Sequence, residues 1–284
     1  MSKIVLLQSL PTTKRVFNDK QLESLEQIGE VHINQDQDKV QKESVRKLLQ
    51  NAEIAITSWG CPKIDSYLLD SAPRLKVVLH AAGTVKSIVS PQLWERGIRV
   101  SSAADALGKG VAETALGLMI VSLKNIWQLA KNTREGEWSK GKNEIREVYG
   151  LTVGVIGAGR AGRHFIRLLK NFDVKILLND PTVTEKEVSS FGAQKVELKE
   201  LLSQSDVVSI HAPSIPETNH LLNHDSLQWM KDEAILINTA RGSIIDEEAL
   251  IAELNKGRLF ACLDVTKIEP PHWITLSGRS QMWF

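Results

Sequence analysis

Three glycines in a fixed rhythm, Gly157, Gly159 and Gly162 in "VGVIGAGRAGRHF", are the residues whose spacing most clearly implies chemistry. The first permits a tight turn, the second lets backbone approach a pyrophosphate, and the third lets a helix pack close to a strand. An apolar run precedes them and a helical pattern follows, so the turn falls between a strand end and a helix start. The N–H groups opening that helix, at Arg160, Ala161 and Gly162, are unpaired donors at the positive end of its dipole, which suits phosphate. Asp180 ends the next apolar run, "VKILLND", at the distance of about 20 residues where a carboxylate reaches a ribose. A carboxylate there binds both ribose hydroxyls and repels a 2′-phosphate. Pro181, Thr182 and Val183 bring no arginine to receive one. The expected cofactor is therefore NAD(H) rather than NADP(H). Glycines that merely pack a sheet corner are the weaker alternative, given the strand, helix and carboxylate around them.

Further on, "NTARGSIIDEEALIAELNKGRLFACLDV" sets Arg241 just after an apolar run. That is the carboxyl end of a strand, the edge where open α/β sheets bind ligands. With this stretch, and with "AAGT", "KGVAET", "GEW", "SDVVSIHAP", "PETNHLLN" and the D-V-x-x-x-E-P of Asp264 to Pro270, the chain resembles the D-isomer-specific 2-hydroxyacid dehydrogenases over about residues 75–270. The resemblance implies hydride exchange between NAD(H) and a small 2-hydroxy or 2-oxo acid. It implies that Arg241 grips the carboxylate and keto oxygen with a planar fork that lysine cannot copy; a surface arginine paired with a carboxylate is the bland alternative. Backbone N–H groups at Gly83 and Thr84, in "LHAAGTVK", would hold the substrate carboxylate, with Thr84 also facing the cofactor. Ala212, Thr239 and Ala240 match cofactor-lining positions, and Asp264 matches the aspartate beside the nicotinamide carboxamide. His211 belongs to the cofactor wall in this reading, not to proton transfer. Lys86 and Ser87 stand where the family has an acidic residue and Asn, which leaves substrate size and charge open. Lys86 either favours an extra negative group or is a solvated loop lysine.

Reduction of a ketone needs a proton at the developing alkoxide. The family supplies it from a histidine polarised by a glutamate, and Glu269 matches that glutamate. The family histidine follows after another strand, and no counterpart precedes Phe284. His272, directly after two prolines, reads as a loop histidine. The family's C-terminal crossover helix also has no counterpart, so the ending reads as truncated. Losing a general acid costs about 10²–10⁴ in rate, so weak or absent turnover is expected. The rival reading is a non-catalytic NAD(H)-binding sensor of the corepressor kind.

The elements that must position these residues alternate strand and helix. Apolar runs at "KIVLL", "EVHI", "EIAIT", "LKVVLHA" and "IRVSS" form one series, and "LTVGVIG", "VKILLND", "DVVSIHA", "AILINTA" and "RLFACLDV" a second. Such alternation predicts parallel sheets flanked by helices. The expected fold is α/β: a flavodoxin-like substrate-binding domain over residues 1–101 and a NAD-binding Rossmann domain over residues 102–284. Ser90 with Pro91 predicts a helix start, with Gly97 its stop; Thr182 with Glu185 predicts a capping box; Asp246 and Gly257 bracket another helix. The longest helix is expected over residues 111–131, apolar around most of its circumference, and so either buried between domains or part of a homodimer interface.

Bulk properties fit. Hydrophobic content is 42%, charged content 24%, and the net charge of +1 gives no field for nucleic acid or an anionic membrane. Two cysteines make no disulfide framework or metal cluster and suit a cytoplasmic setting. The first apolar run is too short for a signal peptide, and no stretch approaches the roughly 18 apolar residues of a membrane span.

Overall fold

The apolar runs become strands gathered into two parallel sheets in a computed structural model that describes residues 1–268. The chain separates into two units, Met1–Leu107 and a second beginning at Gly108, with one sheet in each.

In the first unit β1 (Ser2–Leu6), β2 (Gly29–Ile33), β3 (Ile54–Thr57), β4 (Val77–His80) and β5 (Arg99–Ser102) lie in the order β2-β1-β3-β4-β5. Ile4 of β1 opposes Val31 on one side and Ile54 on the other. Val5 faces a cluster with Val45, Leu49 and Leu68, whereas Ile4 and Leu6 face Ile56 and Phe17. Helices therefore cover both faces, which is why β1 is apolar without alternation. The order reverses direction between β1 and β3, the flavodoxin-like arrangement. Ser90 caps the helix Pro91–Glu95 as its sequence implies, and Gly97 takes φ +68 just beyond it.

In the second unit β6 (Thr152–Ile156), β7 (Lys175–Asn179), β8 (Gln194–Lys195), β9 (Val207–Ile210), β10 (Ile235–Asn238) and β11 (Phe260–Leu263) take the order β11-β10-β9-β6-β7-β8. Counted from β6 this is the dinucleotide-binding order, reversing between β6 and β9. The register is what matters for the site. Ile156 pairs with Asn179 and with Ile210, and Asn238 pairs with Ile210 and with Leu263. Five strands thus end level, and the next residue of each, Asp180, Gly157, His211, Thr239 and Asp264, falls in one row along the carboxyl edge.

Two local expectations shift. The helix expected over 111–131 is two helices, Ala104–Leu123 and Ile126–Arg134. The break is at Asn125, whose φ of +50 is left-handed, a conformation asparagine tolerates. Its side-chain amide donates to Gly141 O at 3.3 Å and Glu144 Oε2 at 3.1 Å, which fixes the turn. Ala104–Leu123 buries Gly108, Ala112, Ala115, Met119 and Leu123 along one stripe, in a cluster with Val153 and Phe165 from Ala112 onward. With a mean hydropathy of 1.4 it is also long and apolar enough to cross a membrane, by length and composition alone. The sequence reading missed this because Asp105, Lys109 and Glu113 interrupt the apolar run; one stripe of the helix packs into the core of the second unit. The capping box forms two residues later than expected: Thr184 accepts from Glu187 N while Glu187 accepts from Thr184 N. Asp246 caps the helix Glu247–Asn255 through Ala249 N, and Gly257 follows with φ +69.

Candidate active site

The turn after β6 is built by what its glycines exclude. Gly157 has φ +96, and a Cβ there would lie 2.7 Å from Ala212 N. A Cβ on Gly162 would meet Gly157 O at 2.1 Å. Both close contacts draw the loop and the helix Arg160–Leu169 onto the ends of β6 and β9. Gly159 is different: the nearest atom to a Cβ would be His211 O at 3.9 Å, so this side of the loop is open. Gly159 is the N-cap of that helix, and no side chain caps it. The first-turn N–H groups at Arg160, Ala161 and Gly162 remain available to an anion. Gly108, which the sequence reading did not single out, belongs to this arrangement. A Cβ on it would sit 3.2 Å from Ala161 N, so its absence lets the long helix pass close to the phosphate-type turn.

Asp180 closes the other side. Its Oδ2 accepts from Ala158 N at 2.6 Å, and its Oδ1 accepts from Thr182 N at 2.7 Å and Thr182 Oγ1 at 2.6 Å. Burial opposes its charge, but the Thr182 and Ala158 hydrogen bonds and the nearby Arg163 outweigh it and hold the carboxyl below its ordinary range. Arg163 donates Nε to Ala158 O at 2.7 Å and lies 4.6 Å from the Phe191 ring centroid, so its guanidinium is already engaged. Thr182 and Arg163 are site residues that spacing alone did not reveal.

His211 follows β9, with Nε2 3.0 Å from Ser209 Oγ and its ring 5.0 Å from that of Phe165. Burial pushes its pKa down to about 4, so the ring is neutral. Its Nδ1 is buried without a partner, and so is Thr239 Oγ1 after β10. Two orphaned polar atoms on neighbouring strand ends are what a polar ligand along this edge would satisfy. Together with the open Gly159 face and the Asp180 carboxylate, they fit a dinucleotide.

The turn carrying Arg241 is clamped by Asn238. Its Oδ1 accepts from Ala240 N at 3.0 Å and its Nδ2 donates to Arg241 O at 2.9 Å. Gly242 packs so tightly that a Cβ would fall 2.0 Å from Thr266 C. Arg241 itself is exposed, with Nη1 donating to Ala240 O at 2.5 Å. Asp264 N donates to Asn238 O at 3.0 Å, which sets that aspartate beside the same turn. Glu269 and His272 lie outside the described residues. In the first unit Gly83 and Thr84 follow β4, with a Gly83 Cβ 2.9 Å from Leu107 Cδ2 and Thr84 Oγ1 accepting from Lys86 N at 3.4 Å. Among the described residues no cluster of three or more His, Cys, Asp or Glu could hold a metal. Burial raises the Cys61 and Cys262 thiols to about 11, so neither is a thiolate.

A sequence model described as "D-isomer specific 2-hydroxyacid dehydrogenase, NAD binding domain" matches residues 116–277. The chain belongs to the D-isomer-specific 2-hydroxyacid dehydrogenase family. Its second unit is the family's NAD-binding domain. The D-3-phosphoglycerate dehydrogenase of Methanocaldococcus jannaschii is 33% identical over 257 residues, 90% of this chain and 48% of that protein. The hydroxypyruvate reductase of Thermotoga maritima is 32% identical, over 82% of this chain and 75% of its own length. This chain thus spans about half the length of the first relative and three quarters of the second. Among solved structures, a glyoxylate reductase from Paecilomyes thermophila aligns with a TM-score of 0.79 and 26% identity, covering 99% of this chain and 87% of that one.

Proposed function

We propose that the chain uses NAD(H) to interconvert a small 2-oxo acid and its D-2-hydroxy acid. The observation that carries this reading is the level row of strand ends, where the glycine turn, Asp180, Thr239 and Arg241 share one edge. The bound nicotinamide supplies the hydride chemistry. The first-turn N–H groups at Arg160, Ala161 and Gly162 hold the pyrophosphate, with Gly157 and Gly159 letting backbone approach. Asp180 takes the ribose, and Ala212, Thr239, Ala240 and Asp264 line the nicotinamide side. Arg241 forks onto the carboxylate and keto oxygen of the acid, and the backbone at Gly83 and Thr84 binds the carboxylate. Glu269 is the carboxylate member of the family's acid–base pair, the one that polarises the proton-donating histidine. His211, buried and neutral, does not donate that proton.

The chain is further proposed to be cytoplasmic, its two thiols free, and to form a homodimer through its second unit. Supporting the dimer are large apolar side chains left exposed in the second unit, in the segment that follows the long helix: Ile126 is 47% exposed, Trp138 68% and Tyr149 67%.

Calorimetric titration with NADH, followed by NADH oxidation with glyoxylate, hydroxypyruvate and 3-phosphohydroxypyruvate, tests the reading. Binding with oxidation of at least one acid supports it. Binding with no oxidation of any acid favours a NAD(H) sensor, and no NADH binding removes both.

A further inference from the structure

The first unit has its own reversal of strand order, between β1 and β3, and open sheets take ligands outside the carboxyl ends at such points. A cleft opens there, lined by Arg15, Val16, Trp59 and Ala81. Arg15 and Val16 end the helix Leu10–Val16 that follows β1, Trp59 follows β3, and Ala81 directly follows β4. Arg15 lies over the Trp59 ring with its guanidinium carbon 5.1 Å from the centroid. That contact holds the cation over the ring, and the exposed side chain keeps N–H donors available to an anion. None of the four lining residues is acidic. On the same connection Gln8 is fully buried with neither amide atom partnered, and the buried Thr13 hydroxyl is also unpartnered. Buried polar groups left without a partner are costly, so three such atoms on the connection that carries Arg15 mark a segment adapted to something beyond packing.

Ala81 also begins the loop that carries Gly83 and Thr84, assigned above to the substrate carboxylate. Whatever hangs from the far side of the 2-oxo acid then lies within reach of Ala81 and its neighbours. We propose that this cleft receives the distal substituent of the substrate and that Arg15, held over Trp59, selects an anionic one, a carboxylate or a phosphate ester. The proposal rests on the dehydrogenase reading and adds a specificity residue that lies in the first unit.

The test is calorimetric affinity of the NAD⁺-loaded chain, which has no hydride to give, for three 2-oxo acids: pyruvate with a neutral tail, 2-oxoglutarate with a distal carboxylate, and 3-phosphohydroxypyruvate with a distal phosphate. At least one anionic acid is expected to bind about tenfold or more tighter than pyruvate, and the stronger of the two names the anion. Arg15→Leu is expected to abolish that preference while pyruvate affinity stays within about threefold, and Arg15→Lys to restore it only in part. Arg15 is exposed, so the variants are expected to fold, and near-UV circular dichroism checks this. Pyruvate binding with no preference for an anionic tail, or a preference that survives Arg15→Leu, overturns the inference alone. Cofactor binding with no binding of any of the three acids overturns the dehydrogenase reading and the inference with it.

Discussion

Both oxygens of Asp180 are already engaged, and this decides how it can hold a ribose. A carboxylate offers about four acceptor sites, and Ala158 N, Thr182 N and Thr182 Oγ1 occupy three. Two ribose hydroxyls can be accepted only if the Thr182 hydroxyl swings away. Asp180→Ala is therefore expected to weaken NADH binding roughly 10- to 100-fold, whereas Thr182→Val should leave it unchanged or tighten it, both read by calorimetry. His211 gives a pH signature. Its folded pKa of about 4 lies below the ordinary 6.5, so the unfolded chain binds the extra proton between those values. Stability is thus complete above about 6.5 and falls as pH drops toward 4, by about 3 kcal/mol from this residue. His80, also lowered by burial, acts with the same sign. Urea midpoints at pH 7 and pH 5 should differ less in His211→Gln than in the parent; an equal difference would contradict the assignment.

At the scale of elements, the glycines separate into those that hold contacts and those that only loosen a helix. Gly242→Ala places a Cβ 2.0 Å from Thr266 C and should destabilise by about 1–3 kcal/mol. Gly110 sits in the helix Ala104–Leu123 with nothing within 4 Å of a Cβ, so Gly110→Ala should stabilise by about 0.5–1 kcal/mol. Urea unfolding distinguishes the signs. The same contrast explains what the sequence could show. The turn at Gly157, Gly159 and Gly162 was legible because its geometric demands are local and each falls on one residue. The strand ends were legible because strands buried on both faces are apolar throughout. The capping box was misplaced because Thr182 with Glu185 and Thr184 with Glu187 satisfy nearly the same pattern, and only Asp180's demand on Thr182 decides between them. The break at Asn125 depends on a carbonyl at Gly141, and the role of Gly108 on Ala161, which are contacts no local pattern encodes.

For the whole molecule, the family and the α/β class followed from several short motifs in one order, while the roles of Glu269 and of the first unit's loops rest on likeness to the family. The proposed dimer belongs to this scale. Sedimentation equilibrium should give twice the chain mass, and Ile126→Glu with Trp138→Glu should shift it to the monomer, since both side chains are exposed and neither change disturbs the core. A parent that stays monomeric at all concentrations would remove the dimer and leave the chemistry untouched. The central claim is that the row of residues ending β6, β7, β9, β10 and β11 is a NAD(H) cradle tuned by Asp180. Parallel calorimetric titrations with NADH and NADPH test it most directly. The expected result is one NADH per chain, with NADPH bound at least about tenfold more weakly because its 2′-phosphate meets the Asp180 charge. Equal affinity for the two, or no binding of NADH, would contradict the account.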